Sequence, residues 1–272
     1  MAAWFATVDD VAMSGDHVIE NRRYWNEGAA DWVAGGERLW AAEPTWGQWG
    51  VPEADLGLLP ASMHGLEAIE LGCGTGYVSA WMWRRGARVV GLDVSENQLD
   101  TARRLAEEHG APIEFIHADA ESVPLADGSF DFAISEFGAA LWCEPRAWLA
   151  EAHRLLRPGG RLVFLSSTPL VALCSAEDGS FPVGRELVRP YFGMYRLDWT
   201  DVDIEPGGVE FVPTVAEWFR VFADTGFTVD DYLEVQAPAD ADGVPFVVAA
   251  EWAKAWPSEH IWKLSREGLT ST

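Results

Sequence analysis

The sequence predicts an α/β fold built on a doubly wound parallel sheet, and three observations predict it. Between residues 66 and 166, short and near-continuous apolar runs alternate with helix-like segments. Strands read this way when helices cover both faces of their sheet. The first run ends in an acidic residue and a glycine-rich turn, Glu70-Leu71-Gly72-Cys73-Gly74-Thr75-Gly76. The second ends at Asp93, 21 residues after Gly72. Ligands of such sheets bind beyond the carboxyl ends of the strands, so both features fall at the expected site.

The elements follow in order. Residues 1–62 read as helical and irregular, with a Trp-rich turn at Thr45-Trp46-Gly47-Gln48-Trp49-Gly50. The first strand is expected at 66–71 and a helix at 78–85. The second strand spans 88–94, and the next helix 95–109 with Ser95 placed to cap it. The third strand spans 113–118 and the fourth 130–135. A helix at 146–156, the turn Pro158-Gly159-Gly160 and a fifth strand at 161–166 complete the alternation. Residues 169–212 hold Pro, Gly and aromatics without a period and read as an insertion. A helix at 214–225, a strand at 228–235, a loop at 237–245 and a last pair of segments at 248–256 and 260–265 follow.

Composition narrows the function. A chain of 272 residues, 49% hydrophobic, buries a large core as one domain with an insertion or lid. The formal net charge is −24, from 43 acidic and 19 basic residues. Such a surface argues against a nucleic-acid backbone or an anionic membrane as partner, since both need clustered Lys and Arg. Cys73, Cys143 and Cys174 form neither a disulfide framework nor a zinc pattern, so no metal is expected. No signal peptide or membrane span is read, and a cytoplasmic location is expected. Fifteen tryptophans, from Trp4 to Trp262, are expected to pack core and lid with their N–H groups partnered, a few lining an aromatic pocket.

The spacing at 72–76 is G-x-G-x-G. The dinucleotide fingerprint would need glycine at 77, where Tyr77 stands. A phosphate-cradling G-x-x-x-x-G-K-[ST] is absent, and the chain has only two lysines, Lys254 and Lys263. Asp93 stands where an acidic group accepts from a ribose diol. Asp119 suits an exocyclic amine and the Ala120 N–H a ring nitrogen. The fourth strand ends at Ser135-Glu136-Phe137-Gly138, facing the reaction zone. Each has a plain alternative: Asp93 as a helix cap, Asp119 as a solvated loop carboxylate, Glu136 as a surface charge. Their appearance at successive strand ends is what favours a site.

Residues 66–166 resemble the core of class I S-adenosylmethionine-dependent methyltransferases, of the UbiE-like small-molecule branch. Besides the glycine turn, the matching stretches are Gly91-Leu92-Asp93-Val94-Ser95, Ala118-Asp119-Ala120-Glu121-Ser122-Val123-Pro124-Leu125, Asp127-Gly128-Ser129-Phe130-Asp131 and Leu155-Leu156-Arg157-Pro158-Gly159-Gly160-Arg161-Leu162. The resemblance implies a Rossmann-like seven-stranded sheet in order 3214576 with the last strand antiparallel, an N-terminal helical cap and a substrate-lid insertion after strand five. It implies S-adenosyl-L-methionine as cofactor and S-adenosyl-L-homocysteine as product. Glu70, Gly72, Cys73, Gly74 and Gly76 would hold the methionine part, Asp93 and Val94 the ribose, and Asp119 with Ala120 the adenine. Ser135 would lie beside the cofactor, and Tyr24-Trp25-Asn26-Glu27 resembles the helix that closes over it.

The reaction so implied is in-line methyl transfer to a small-molecule acceptor, with proximity and water exclusion as the protein's main contributions. Glu136 is the favoured base by position. His17, His64, His109, His117, His153 and His260 are weaker candidates, and a site without a dedicated base stands open. Trp142, Arg189, Tyr191 and Tyr195 are the candidate acceptor contacts, Arg189 against a carboxylate. A cofactor-binding protein without turnover, and a nicotinamide-dependent oxidoreductase, are the competing readings.

Overall fold

The computed structural model describes residues 15–202 and 207–268. Trp4 and the rest of the first fourteen positions lie outside the described residues.

Two helices lead, α1 (Asp16–Glu27) and α2 (Ala29–Ala41), then a small hairpin of β1 (Thr45–Trp46) and β2 (Val51–Pro52), and a single turn α3 (Glu53–Leu56). The alternating core follows: β3 (Glu67–Leu71), α4 (Tyr77–Arg84), β4 (Arg88–Asp93), α5 (Glu96–Glu108), β5 (Glu114–His117) and β6 (Phe130–Glu136). After it come α6 (Ala139–Trp142), α7 (Pro145–Leu155) and β7 (Leu156–Ser167). The insertion holds α8 (Pro169–Cys174) and a two-stranded ribbon of β8 (Arg196–Asp198) and β9 (Val209–Phe211). The chain closes with α9 (Val215–Thr225), β10 (Phe227–Val235), α10 (Ala250–Ala253) and β11 (Glu259–Arg266).

Seven strands form one sheet in the order β10-β11-β7-β6-β3-β4-β5. β3 to β7 run parallel, and β11 is antiparallel to both neighbours. Counted along the chain from the β5 edge, this is the order 3214576 with the last strand antiparallel. The turn Pro158-Gly159-Gly160 lies inside β7 as a bulge. The partners of β6 jump from Leu156, opposite Phe130, to Arg161, opposite Phe132, and Gly159 takes φ 83° there. The 248–256 segment gives only the short α10, because Pro257 stops it before β11.

Ser95 caps its helix as the sequence suggests, and side chains cap α7 and α9 as well. Ser95 accepts from the Gln98 N–H and Thr214 from the Glu217 N–H. Glu144 caps α7 through the Ala147 N–H, and Pro145 stands in its first turn. One face of the sheet packs on α7 and α9 through Trp148, Phe164, Trp218, Phe222 and Trp262, all at most 1% exposed. Each such aromatic gains roughly 4–6 kcal/mol by leaving water, before conformational entropy is subtracted. The opposite face packs on α4 and the Trp46 hairpin. The tryptophans differ from expectation in one respect. The buried ring N–H groups of Trp25, Trp148, Trp218 and Trp262 have no hydrogen-bond partner among the described residues. The last three sit among aromatic rings, where packing area outweighs the missing bond.

Candidate functional site

At the carboxyl ends of β3, β4 and β6 the structure opens into a cavity of about 600 Å³. Its floor is the glycine turn. The Gly72 and Cys73 N–H groups both donate to the Leu92 carbonyl, which ties the turn to β4. Gly72 has φ +77°, and a Cβ there would lie 2.6 Å from the Gly138 Cα and the Ala139 nitrogen. The turn after β3 and the turn after β6 thus meet backbone to backbone, and only glycine permits it. Ser135 fastens the same junction: its Oγ donates to the Leu71 carbonyl and accepts from the Ala140 N–H. Ser135 is fully buried and outside the cavity wall. Gly76 also stands behind the wall, where it caps α4 and packs against Phe115 and Ala102.

Glu70, Gly72, Cys73, Gly74, Asp93, Val94, Asp119 and Ala120 all line the cavity. Glu70 Oε2 accepts from the Ser79 N–H at 2.7 Å and the Ser79 hydroxyl at 2.5 Å, and burial holds its carboxyl well above the usual range. Asp93 accepts from the Gly74 N–H at 2.7 Å and the Ser95 N–H at 2.8 Å. Burial raises its pKa, and those amides partly offset the rise. Each oxygen keeps a lone pair for a further donor. Asp119 is 1% exposed. Its Oδ1 accepts from the Glu121 N–H, while Oδ2 has no partner among the described residues. The Gln98 Oε1 on the same wall is likewise unpartnered. Buried polar atoms left bare cost stability, so their recurrence at one cavity marks a place where a ligand supplies donors.

The N-terminal helices form the roof. Asn21 donates to the Trp142 and Val209 carbonyls and accepts from the Val209 N–H, joining α1 to α6 and β9. Asn26 accepts from the Ser95 hydroxyl, and Arg22 pairs with Glu96 on α5, whose carboxyl falls to about 2 under that guanidinium. Trp40 donates to the Thr75 carbonyl within the glycine turn. Trp25 lines the cavity, and Tyr24 packs edge-on against Trp25 and stacks on Trp142 from behind the wall.

Glu136 lines the cavity at the end of β6. Its Oε1 accepts from the Gly47 N–H and its Oε2 from the Tyr77 hydroxyl, each at 2.8 Å. Burial pushes its carboxyl up to about 7 against the pull of both donors. Of the candidate acceptor contacts, Trp142 lies in the wall and the other three do not. Arg189 donates to the Ser175 carbonyl and lies over the Trp199 ring. Tyr195 donates to Glu144, and Tyr191 and Tyr195 face a separate smaller cleft with Met194 and Arg220. None of the six histidines lines the cavity. His17 bonds Glu121 at 2.7 Å, His117 donates to the Val94 carbonyl at 3.0 Å, and burial drives His260 down to about 3. His109 lies against Trp40 and His153 against Phe227.

Several wall residues carry no local sequence signal. Tyr77, singled out only as the residue replacing a glycine, holds Glu136. Glu210 on β9 reaches the cavity from the insertion, and Trp32 stacks on Phe246 at 5.6 Å, both rings in the wall. Glu259, at the start of β11 and outside the wall, accepts from the Gln48 N–H one residue beyond the Gly47–Glu136 bond.

Comparison with known proteins agrees with this geometry. A family profile described as "Methyltransferase domain" matches residues 69–164. A demethylmenaquinone methyltransferase of Thermus thermophilus is 37% identical over 175 residues, covering 59% of this chain and 74% of that protein. A second, from Clavibacter sepedonicus, is 44% identical over 115 residues, covering 42% and 46%. For most curated relatives the match spans about half of their length or less. A solved S-adenosylmethionine-dependent methyltransferase from Mesorhizobium loti superposes with a TM-score of 0.64 at 26% identity, over 81% of this chain and all of that one. Sheet order, the turn at 72–76 and these relatives lead to one conclusion: the chain belongs to the class I S-adenosylmethionine-dependent methyltransferases, in their UbiE-like branch.

Proposed function

We propose that this protein transfers a methyl group from S-adenosylmethionine to a small-molecule acceptor. The observation that carries the cofactor assignment is the unpartnered Asp119 Oδ2, buried in the wall beyond Asp93 and the glycine turn. An amine donor at that point removes the cost of an unpaired buried oxygen. In this reading Asp119 and the Ala120 N–H hold the adenine, and Asp93 beside Val94 accepts from the ribose hydroxyls. Glu70, Cys73 and the glycines at 72 and 74 hold the methionine part. Ser135 and Gly76 act from behind by fixing the turn, and Tyr24 acts through Trp25 and Trp142.

When bound there, the cofactor would supply an electrophilic sulfonium methyl, which the acceptor's nucleophile takes in line as the S–CH3 bond breaks and S-adenosylhomocysteine leaves. The chain has then to align the acceptor, exclude water and accept a proton where the nucleophile carries one. Glu136 is the group placed for that proton: it lies in the wall, and Tyr77 and Gly47 fix its two oxygens. We assign residues 1–62 as the cap and 169–212 as the acceptor lid on the domain at 63–272. The three free cysteines suit a reducing cytoplasm. The acid-lined cavity suits a small molecule and no nucleic acid.

Differential scanning fluorimetry with S-adenosylhomocysteine tests the binding half, because a ligand of the native state raises the melting temperature. The shift is expected in the wild type and largely lost in Asp93→Ala; an undiminished shift in the variant would remove the ribose assignment. Mass spectrometry for a gain of one methyl across an acceptor panel tests the transfer itself.

A further inference from the structure

Glu210 has no part in the scheme above, yet it faces the same cavity. Trp199 Nε1 donates to its Oε2 at 3.2 Å, and Oε1 makes no hydrogen bond among the described residues. The nearby wall is aromatic, with Trp25, Trp142 and Trp199 in it. The faces of such rings attract cations. Among the described residues the wall holds five carboxyls, Glu70, Asp93, Asp119, Glu136 and Glu210, against one cation, the exposed Arg38. Three of the five serve the cofactor end. Arg189 stands outside the wall: it lies over the Trp199 ring and donates to the Ser175 carbonyl, and its buried Nε has no partner among the described residues. Burial raises the Glu210 carboxyl to about 7, against the pull of the Trp199 N–H and of the Arg189 charge outside the wall, so a cation brought to it would favour its ionised form. An anionic acceptor would find carboxyls in the wall and no buried cation among the described wall residues to meet its charge, whereas a cationic one would favour the ionised form of those carboxyls.

We propose that the acceptor has an aromatic body and a basic nitrogen, and that Glu210 holds that nitrogen as an ammonium within the aromatic wall. This rests on the methyl-transfer reading and deepens it by naming an acceptor class. It also replaces the expectation that Arg189 meets a carboxylate.

Three indoles matched in size test it: tryptamine, tryptophol and indole-3-propionate. Each is titrated calorimetrically into the protein saturated with S-adenosylhomocysteine. Tryptamine is expected to bind at least about tenfold tighter than the other two, the scale of a hydrogen bond to a charged group. Glu210→Gln should bring tryptamine down to the affinity of tryptophol while leaving tryptophol and the cofactor-product shift unchanged. A purely structural Glu210 would weaken all the probes together, which overturns the proposal. So does an order in which tryptamine fails to lead, including no binding of it at all. If S-adenosylhomocysteine itself does not bind the wild type, the methyl-transfer reading fails, and the same order on the unliganded protein still decides the role of Glu210.

Discussion

At the scale of single residues, the cavity depends on carboxyls whose environments differ. Glu136 is the most informative. Burial raises it to about 7, so its proton leaves near neutral pH rather than below pH 5. A base works only when ionised, so transfer that depends on Glu136 rises with pH and reaches half of its plateau near pH 7. Glu136→Gln keeps the shape and removes the proton acceptor. The expected result is a loss of about 10²- to 10⁴-fold in kcat/KM and of the limb near pH 7, with the S-adenosylhomocysteine melting shift retained. A pH–rate profile of both proteins decides it; an unchanged profile in the variant assigns the base elsewhere or dispenses with one. Asp93 and Asp119 were legible in the sequence as residues of the cavity wall because Asp93 ends a strand and Asp119 follows one, positions that local apolar patterning fixes. Glu210 was not, because nothing near it in the chain says that β9 turns toward the cavity.

At the scale of elements, the roof is held by a few buried polar contacts. Asn21 is 3% exposed and makes three hydrogen bonds to backbone groups of Trp142 and Val209. Asn21→Ala leaves one N–H and two carbonyls without that partner, at a cost of about 2–3 kcal/mol. In a chain of this size that lowers the melting temperature by roughly 4–5 °C. Scanning calorimetry checks the stability, and the S-adenosylhomocysteine shift should shrink as well because the roof loosens. The alternating core was readable since each strand and helix announces itself within a dozen residues. The roof and the lid were not. The bond from Gly47 to Glu136 spans 89 residues and that from Gln48 to Glu259 spans 211. Pairings of that reach leave no periodic trace, and the ribbon of β8 and β9 is only three residues deep on each side.

At the scale of the whole molecule, burial and net charge act in the same direction. Glu70, Asp93, Asp119, Glu136, Glu210 and Glu259 all have carboxyls raised by burial, Glu259 up to about 8 with the neighbouring Glu136 adding to it. In the unfolded chain these groups lose their protons near the ordinary carboxylate pKa. Between that value and about pH 8 the native state therefore binds more protons than the unfolded state. Stability falls as pH rises across this window, since its slope follows the difference in bound protons. The stabilisation is complete below the unfolded pKa and lost as pH passes the folded one. For Glu259, fully buried, a rise from 4.5 to about 8 corresponds to a few kcal/mol, roughly. The surplus of acidic side chains, net −24, adds self-repulsion as they ionise. Salt separates the two causes, because it screens exposed charges and reaches buried ones far less. The unliganded protein is expected to melt at a lower temperature at about pH 8 than at about pH 6. Added salt should recover the surface part of the difference, and Glu259→Gln the buried part. A melting series over pH and ionic strength on both proteins measures each share; a wild-type melting temperature that rises with pH would show that these carboxyls ionise normally in the fold.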